Sequence, residues 1–188
     1  MAATQRDRSD EELMESYRDG DGGAFDVLYG RHKGGVFRYM VRQCGNREVA
    51  EELFQEVWMN LIRARSSYTV QAKFSTYLYR LAHNRLIDYY RSQAGGVPAS
   101  FDDDNAVALE SIAGARGNDP AVDADARQQA RRLLQLITEL PEAQREAFLL
   151  QQESDMSVEE IAQATGVNRE TAKSRLRYAI ARLRQGMQ

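Results

Sequence analysis

Near the C-terminus, Val167 to Arg184 reads VNRETAKSRLRYAIARLR and sets Arg169, Lys173, Arg175, Arg177, Arg182 and Arg184 against a single acid, Glu170. A second stretch, KFSTYLYRLAHNRLIDYYR from Lys73 to Arg91, interleaves Phe74, Tyr77, Tyr79, Tyr89 and Tyr90 with Lys73, Arg80, Arg85 and Arg91. Both patterns suit an anionic polymer: cations neutralise phosphates, and aromatic faces stack on unpaired bases at about 1–3 kcal/mol per base. His83, Asn84 and Arg85 interrupt the apolar stripe of the second stretch, and an asparagine amide can both donate to and accept from a base edge. The competing readings are a solvated basic face for the first stretch and a packed aromatic core for the second. Hydrolytic chemistry is a poor match, because His32, His83, Asp88 and Asp102 to Asp104 fit no metal or triad spacing. A single cysteine, Cys44, excludes an internal disulfide, and with two separated histidines it forms no zinc-ligand pattern. No catalytic residue, metal or cofactor is expected, and Cys44 should be an inert thiol.

The basic stretch makes most sense as a helix. At about 100° per residue, Ala172, Leu176, Ala179, Ile180 and Leu183 fall on one inward face. Glu170, Thr171, Ser174, Arg177 and Tyr178 then point outward, with Lys173 and Arg175 on the two borders. Immediately upstream, Ser157 and Glu160 form a capping box that opens a short helix containing Ile161 and Ala162, and Gly166 ends it. Asn168 or Thr171 starts the next helix. Two helices joined by a tight glycine turn make a helix-turn-helix, whose second helix carries short polar residues to base edges while flanking cations hold the backbone.

The remaining elements must support these two stretches. Apolar residues recur at helical spacing throughout the N-terminal part: Leu13 and Tyr17, then Phe25 and Leu28, mark short helices with Gly20, Gly22 and Gly23 between them, and Val36 to Arg42 continues in register. From Arg47 to about Ala64 the face of Ala50, Leu53, Val57 and Leu61 is widened by Phe54, Trp58 and Ile62. Ser75 or Thr76 could cap the aromatic-basic helix. After Pro120, a helix bearing Ala126, Ala130, Leu133, Leu134 and Ile137 should stop at Pro141, and a further helix from Glu142 to Gln151 buries Ala147 and Phe148.

The 188-residue chain has a formal net charge of −3, yet charge is unevenly placed. Residues 1–91 sum to +1, 92–126 to −6 and 127–188 to +2. The acidity therefore sits in the middle, where glycines, prolines and Asp102 to Asp104 read as a flexible acidic linker. The expected fold class is all-α: two small helical domains, over 1–92 and 123–188, joined by a linker over 93–122. No uninterrupted apolar run reaches the roughly 18–20 residues of a spanning helix, and the first residues lack the apolar stretch of a secretory signal, so no membrane insertion and a cytoplasmic location are expected.

Taken together, these motifs resemble the sigma-70 superfamily of bacterial RNA polymerase initiation factors, in its compact extracytoplasmic-function (ECF) group with domains 2 and 4. NREVAEELFQEVW is similar to the family's core-binding helix, FSTYLYRLAHNRLIDYYR to its melting and −10 segment, and Leu140, Pro141, Arg145, Ser157, Glu160, Ile161, Ala162, Gly166, Thr171, Lys173, Ser174 and Arg175 to domain 4. The resemblance implies a non-enzymatic specificity subunit that binds core polymerase and reads and opens a promoter. It implies that Glu51, Glu52, Gln55 and Glu56 engage the β′ clamp helices, with a further contact at the β flap. It assigns the −10 element and melting to Lys73, Tyr77, Tyr79, Arg80, His83, Asn84 and Arg85, with Asn84 helping to capture a flipped base. The −35 element falls to Arg169, Thr171, Lys173, Ser174, Arg175, Arg177 and Tyr178. Many relatives are held silent by an anti-sigma factor. Tyr77 stands where the family usually has tryptophan, Asn168 to Glu170 where it often has a proline-glycine turn, and Tyr178 where it is often basic. A polymerase-independent helix-turn-helix regulator is the alternative, and it accounts for the C-terminal module alone.

Overall fold

The computed structural model describes residues 7–94 and 120–188. Among the described residues the regular elements are all helical. The first four helices are α1 (Asp10–Arg18), α2 (Gly22–Cys44), α3 (Arg47–Ala64) and α4 (Phe74–Gln93), with a single 3-10 turn at Arg65–Ser67. They are followed by α5 (Pro120–Glu139), α6 (Glu142–Ser154), α7 (Val158–Thr165) and α8 (Arg169–Met187). Most of the segment expected to be a flexible linker lies outside the described residues, while α4 runs to Gln93 and α5 already begins at Pro120.

Local chemistry explains most of these limits. Ser9 and Glu12 form a reciprocal capping box on α1, and Ser157 and Glu160 form the expected one on α7. Gly45 adopts the left-handed conformation that closes α2, and the Asn46 side chain accepts from the Val49 N–H to open α3. Gly166 at φ 68° ends α7, and of the two candidate starts for α8 it is Asn168 that caps, through the Thr171 N–H. Two expectations fail. The short helix around Phe25 and the segment Val36–Arg42 are one 23-residue helix, since Gly34 and Gly35 cost helix stability without forcing a break. Neither Ser75 nor Thr76 caps α4. It begins at Phe74, whose N–H donates to Glu11 Oε1 at 2.7 Å, so a carboxylate from α1 does the work of a cap.

The N-terminal module packs α1 to α4 around Leu13, Leu28, Val36, Leu53, Val57, Leu61, Phe74 and Leu78, all at 2% exposure or less. Burying each such side chain contributes about 1.5–3 kcal/mol before entropy is charged. An aromatic group extends it, with Trp58 4.9 Å from Tyr29 and 5.9 Å from Phe25 between ring centroids. In the C-terminal module, Leu136, Ile137, Leu149, Leu150, Ile161, Ala172, Leu176, Ala179 and Leu183 form the core under the helix-turn-helix. The modules also touch each other: α2 lies against α6, and α4 against α7. Cys44 is buried and free, and desolvation pushes its thiol up to about 12, which matches the inert role expected of it.

Candidate nucleic-acid and polymerase interfaces

The helix α8 presents the face its periodicity predicts. Ala172, Leu176, Ala179 and Leu183 are buried, whereas Glu170, Lys173, Arg177 and Tyr178 are exposed and Thr171, Ser174 and Arg175 are half-buried along the same side. Arg169 is engaged by Glu159, and by Glu170 at 3.3 Å. Its hydrogen bond to Glu159 raises the guanidinium and lowers the carboxyl. Lys173 and Arg175 have no ion-pair partner among the described residues, so their charge is uncompensated at the surface. The Arg177 guanidinium lies over the Tyr178 ring, 5.1 Å from its centroid, and the two make one flat, cationic unit.

A second candidate surface surrounds the start of α4. A cleft of about 300 Å³ is lined by Ser67, Tyr68, Thr69, Gln71, Ala72, Thr76, Tyr77, Arg80 and Gln163. The Tyr68 hydroxyl and Thr76 Oγ1 are buried with no hydrogen-bond partner, although buried polar atoms are normally paired. Beside them, Tyr68 and Tyr77 pack edge to face at 5.2 Å. Asn84 is exposed one turn beyond Arg80 on α4. The loop residues Tyr68, Thr69 and Gln71 and the hydroxyl of Thr76 were not among the sequence-based candidates. Polar residues crowded between two helices, directly before an aromatic-basic segment, are the signal that points to them.

Other candidates are placed differently from expectation. Tyr79 is 1% exposed, edge-on to Tyr39 at 5.4 Å, and burial raises its hydroxyl strongly. Expected to stack on a base, it is instead a core residue, because its position on α4 faces α2. Lys73 pairs with Glu160 of α7 at 2.7 Å, a contact that raises the lysine and lowers the carboxyl. His83 Nδ1 is 2.6 Å from Glu146 Oε1 of α6. Arg85 pairs with Glu56 of α3, which ties a residue expected to touch DNA to one expected to touch polymerase. On α3, Glu51, Glu52 and Gln55 are exposed beside Met59, which is 45% exposed. Glu51 is bound by Arg47 at 3.1 Å. The negative charge of this strip repels phosphate, which separates it from the basic faces of α4 and α8.

A two-module helical chain with an outward recognition helix and a polar-lined cleft belongs to a class built for reading nucleic acid. Comparison with known families agrees. Residues 28–95 match Sigma-70 region 2 and residues 130–183 match Sigma-70 region 4. The chain is 30% identical to the RNA polymerase sigma factor CarQ of Myxococcus xanthus, over 92% of this chain and 94% of that one. It is 29% identical to the ECF RNA polymerase sigma factor SigK of Mycobacterium sp. (strain KMS), over 92% and 87%. Among solved structures it resembles CnrH in complex with the cytosolic domain of CnrY, with a TM-score of 0.67 and 19% identity over 95% of this chain and 96% of that one. It also resembles the sigma factor RpoE in complex with the anti-sigma factor NepR from Bartonella quintana, at 0.62 and 17% over 86% and 95%. The chain belongs to the sigma-70 family, in its ECF group, and is an RNA polymerase sigma factor. The helix-turn-helix regulator without polymerase is set aside, since both modules match. No helix among the described residues is long and apolar enough to cross a membrane.

Proposed function

We propose that this sigma factor divides its work among three surfaces, within domains spanning 1–92 and 123–188 and a connecting segment over 93–122. The α3 strip of Glu51, Glu52, Gln55 and Glu56 docks core polymerase at the β′ clamp helices, while the C-terminal module meets the β flap. Thr171, Ser174, Arg177 and Tyr178 read −35 base edges, with Arg169, Lys173 and Arg175 on the flanking phosphates. The cleft before α4 receives a −10 base flipped out of the duplex.

The observation that carries this reading is the cleft itself, lined by the Tyr77 ring and the Arg80 guanidinium together with Tyr68 and Thr76. A flipped base stacks on the ring, which offsets its unstacking, while the guanidinium holds an adjacent phosphate. The cleft's size, near the lower end of small-molecule sites, suits one heterocycle and excludes a duplex. Asn84, one turn further along α4, holds the neighbouring nucleotide, with Lys73, His83 and Arg85 on the backbone. Tyr79 serves by supporting this face from beneath.

The factor carries out no covalent chemistry of its own, works in the cytoplasm where polymerase does, and is open to silencing by an anti-sigma factor. The test is run-off transcription with core polymerase on genomic templates, comparing the wild-type chain with Thr76→Val and Arg80→Ala. Promoter-specific transcripts that weaken at least ten-fold in these variants, with core binding unchanged, support the assignment. Unchanged transcript levels in both contradict it.

A further inference from the structure

We propose that a cavity between α2, α5 and α6 is a binding site for a small monocarboxylate with an apolar body. None of its lining residues belongs to the polymerase strip, the −10 cleft or the −35 face, so the site goes beyond the functions assigned above and does not depend on them. The cavity measures about 330 Å³. That is the lower end of small-molecule sites, and because an apolar cavity of about 150 Å³ holds benzene, roughly a dozen non-hydrogen atoms fit. Its apolar lining comes from Leu133, Leu134 and Ile137 on one face of α5 and from Phe148 on α6. Its polar lining is Arg38 and Arg42, one turn apart on α2, with Glu153 of α6.

Charge in this cavity does not balance. The Glu153 side chain is 6% exposed, and it accepts from Arg38 Nε at 2.9 Å through one oxygen and from Arg42 Nη1 through the other. Both oxygens are taken, and two positive charges face one negative. Arg42 is 7% exposed, and its Nε and Nη2 are buried with no hydrogen-bond partner. Buried donors are normally paired, and a buried charge without full compensation is costly. Desolvation accordingly lowers the Arg42 guanidinium; Glu153 restores it only in part, and Arg38 lowers it further.

A ligand that completes the site must bring one negative charge and little other polarity. A carboxylate meets both demands, since its two oxygens match the planar fork of a guanidinium. A phosphate dianion overshoots the missing charge and is too strongly hydrated for the apolar wall. An aliphatic or aromatic body then covers Leu133, Leu134, Ile137 and Phe148. Arg38, whose side chain is 34% exposed, marks the open side of the cavity.

The test titrates octanoate, and its uncharged counterpart octanamide, into the full-length chain by calorimetry at neutral pH. Wild type should bind octanoate saturably with a Kd below about 1 mM, and octanamide at least ten-fold more weakly. This contrast needs no variant to fold. Two substitutions then locate the site. Arg42→Met removes the uncompensated charge and keeps the side-chain length, whereas Ala130→Phe fills the cavity from α5 and leaves Arg38, Arg42 and Glu153 in place. Each should weaken octanoate at least ten-fold, with circular dichroism confirming that the variants are helical. Three results overturn the proposal: no saturable octanoate binding to wild type up to about 10 mM, equal binding of octanoate and octanamide, or undiminished octanoate binding by a folded Ala130→Phe chain. The first would show that the cavity takes no such ligand, the second that only the apolar wall acts, and the third that the carboxylate binds elsewhere.

Discussion

Glu146 on α6 and His83 on α4, 63 positions apart in the chain, meet at 2.6 Å, and the same carboxylate oxygen accepts the Tyr39 hydroxyl at 2.7 Å. Tyr39 is fully buried, and desolvation followed by the Glu146 charge pushes its hydroxyl well above the usual phenol range. Removing only the hydroxyl, in Tyr39→Phe, should cost about 1 kcal/mol, whereas Glu146→Ala strands two donors and should cost about 2–3 kcal/mol. Urea unfolding followed by circular dichroism checks the ordering. Equal effects would show that the carboxylate is not shared.

On α8, Lys173 has no acidic partner to lose, so Lys173→Ala should leave stability within about 0.5 kcal/mol of wild type. Its effect should appear in holoenzyme binding to a promoter, weakened uniformly, with the slope against log salt reduced by about 1. Titration at several salt concentrations reads both.

The capping box at Ser157 fixes where α7, the first helix of the helix-turn-helix, begins. Ser157→Ala should destabilise the C-terminal module by about 1 kcal/mol. Thermal unfolding measures the loss, and hydrogen exchange should locate it in the first turn of α7.

Asp10 joins α1 to α2 through Arg31 at 2.6 Å and His32 at 2.7 Å. Burial alone would raise its carboxyl, but the hydrogen bonds from His32 and Arg31 prevail and hold it below the ordinary 3.8. A depressed acid stabilises the fold above its unfolded pKa and stops doing so as pH falls through its folded value. Asp10→Asn should therefore cost about 1 kcal/mol at neutral pH, and that difference should shrink in acid below about pH 3.8. Paired denaturant titrations across that range provide the check.

Much of the helical frame is written in local signals. Gly45 followed by Asn46 marks the end of α2 and the start of α3, and the Ser157–Glu160 pair with Gly166 marks both ends of α7, so these limits follow from caps alone. The outward face of α8 is equally legible, because a 3.6-residue period needs no knowledge of neighbours. What could not be read is what depends on distant partners. Phe74 starts α4 because Glu11, 63 residues away, accepts its N–H. Tyr79 resembles a stacking ring in sequence and lies in the core because α2 covers it. The cleft residues Tyr68 and Thr76 become notable only once folding has buried their hydroxyls without partners. The contacts of Glu146 and Glu153 join positions 63 to 115 apart, and no periodicity encodes such a meeting.

The central claim is that one helical chain directs polymerase through separate −35 and −10 surfaces. Its most direct test is reconstituted run-off transcription with core polymerase, comparing wild type with Asn84→Ala. Wild type should give discrete promoter-specific transcripts, and Asn84→Ala should bind core equally well yet open promoters at least ten-fold less. No specific transcript from wild type with core, or full opening by Asn84→Ala, would contradict it.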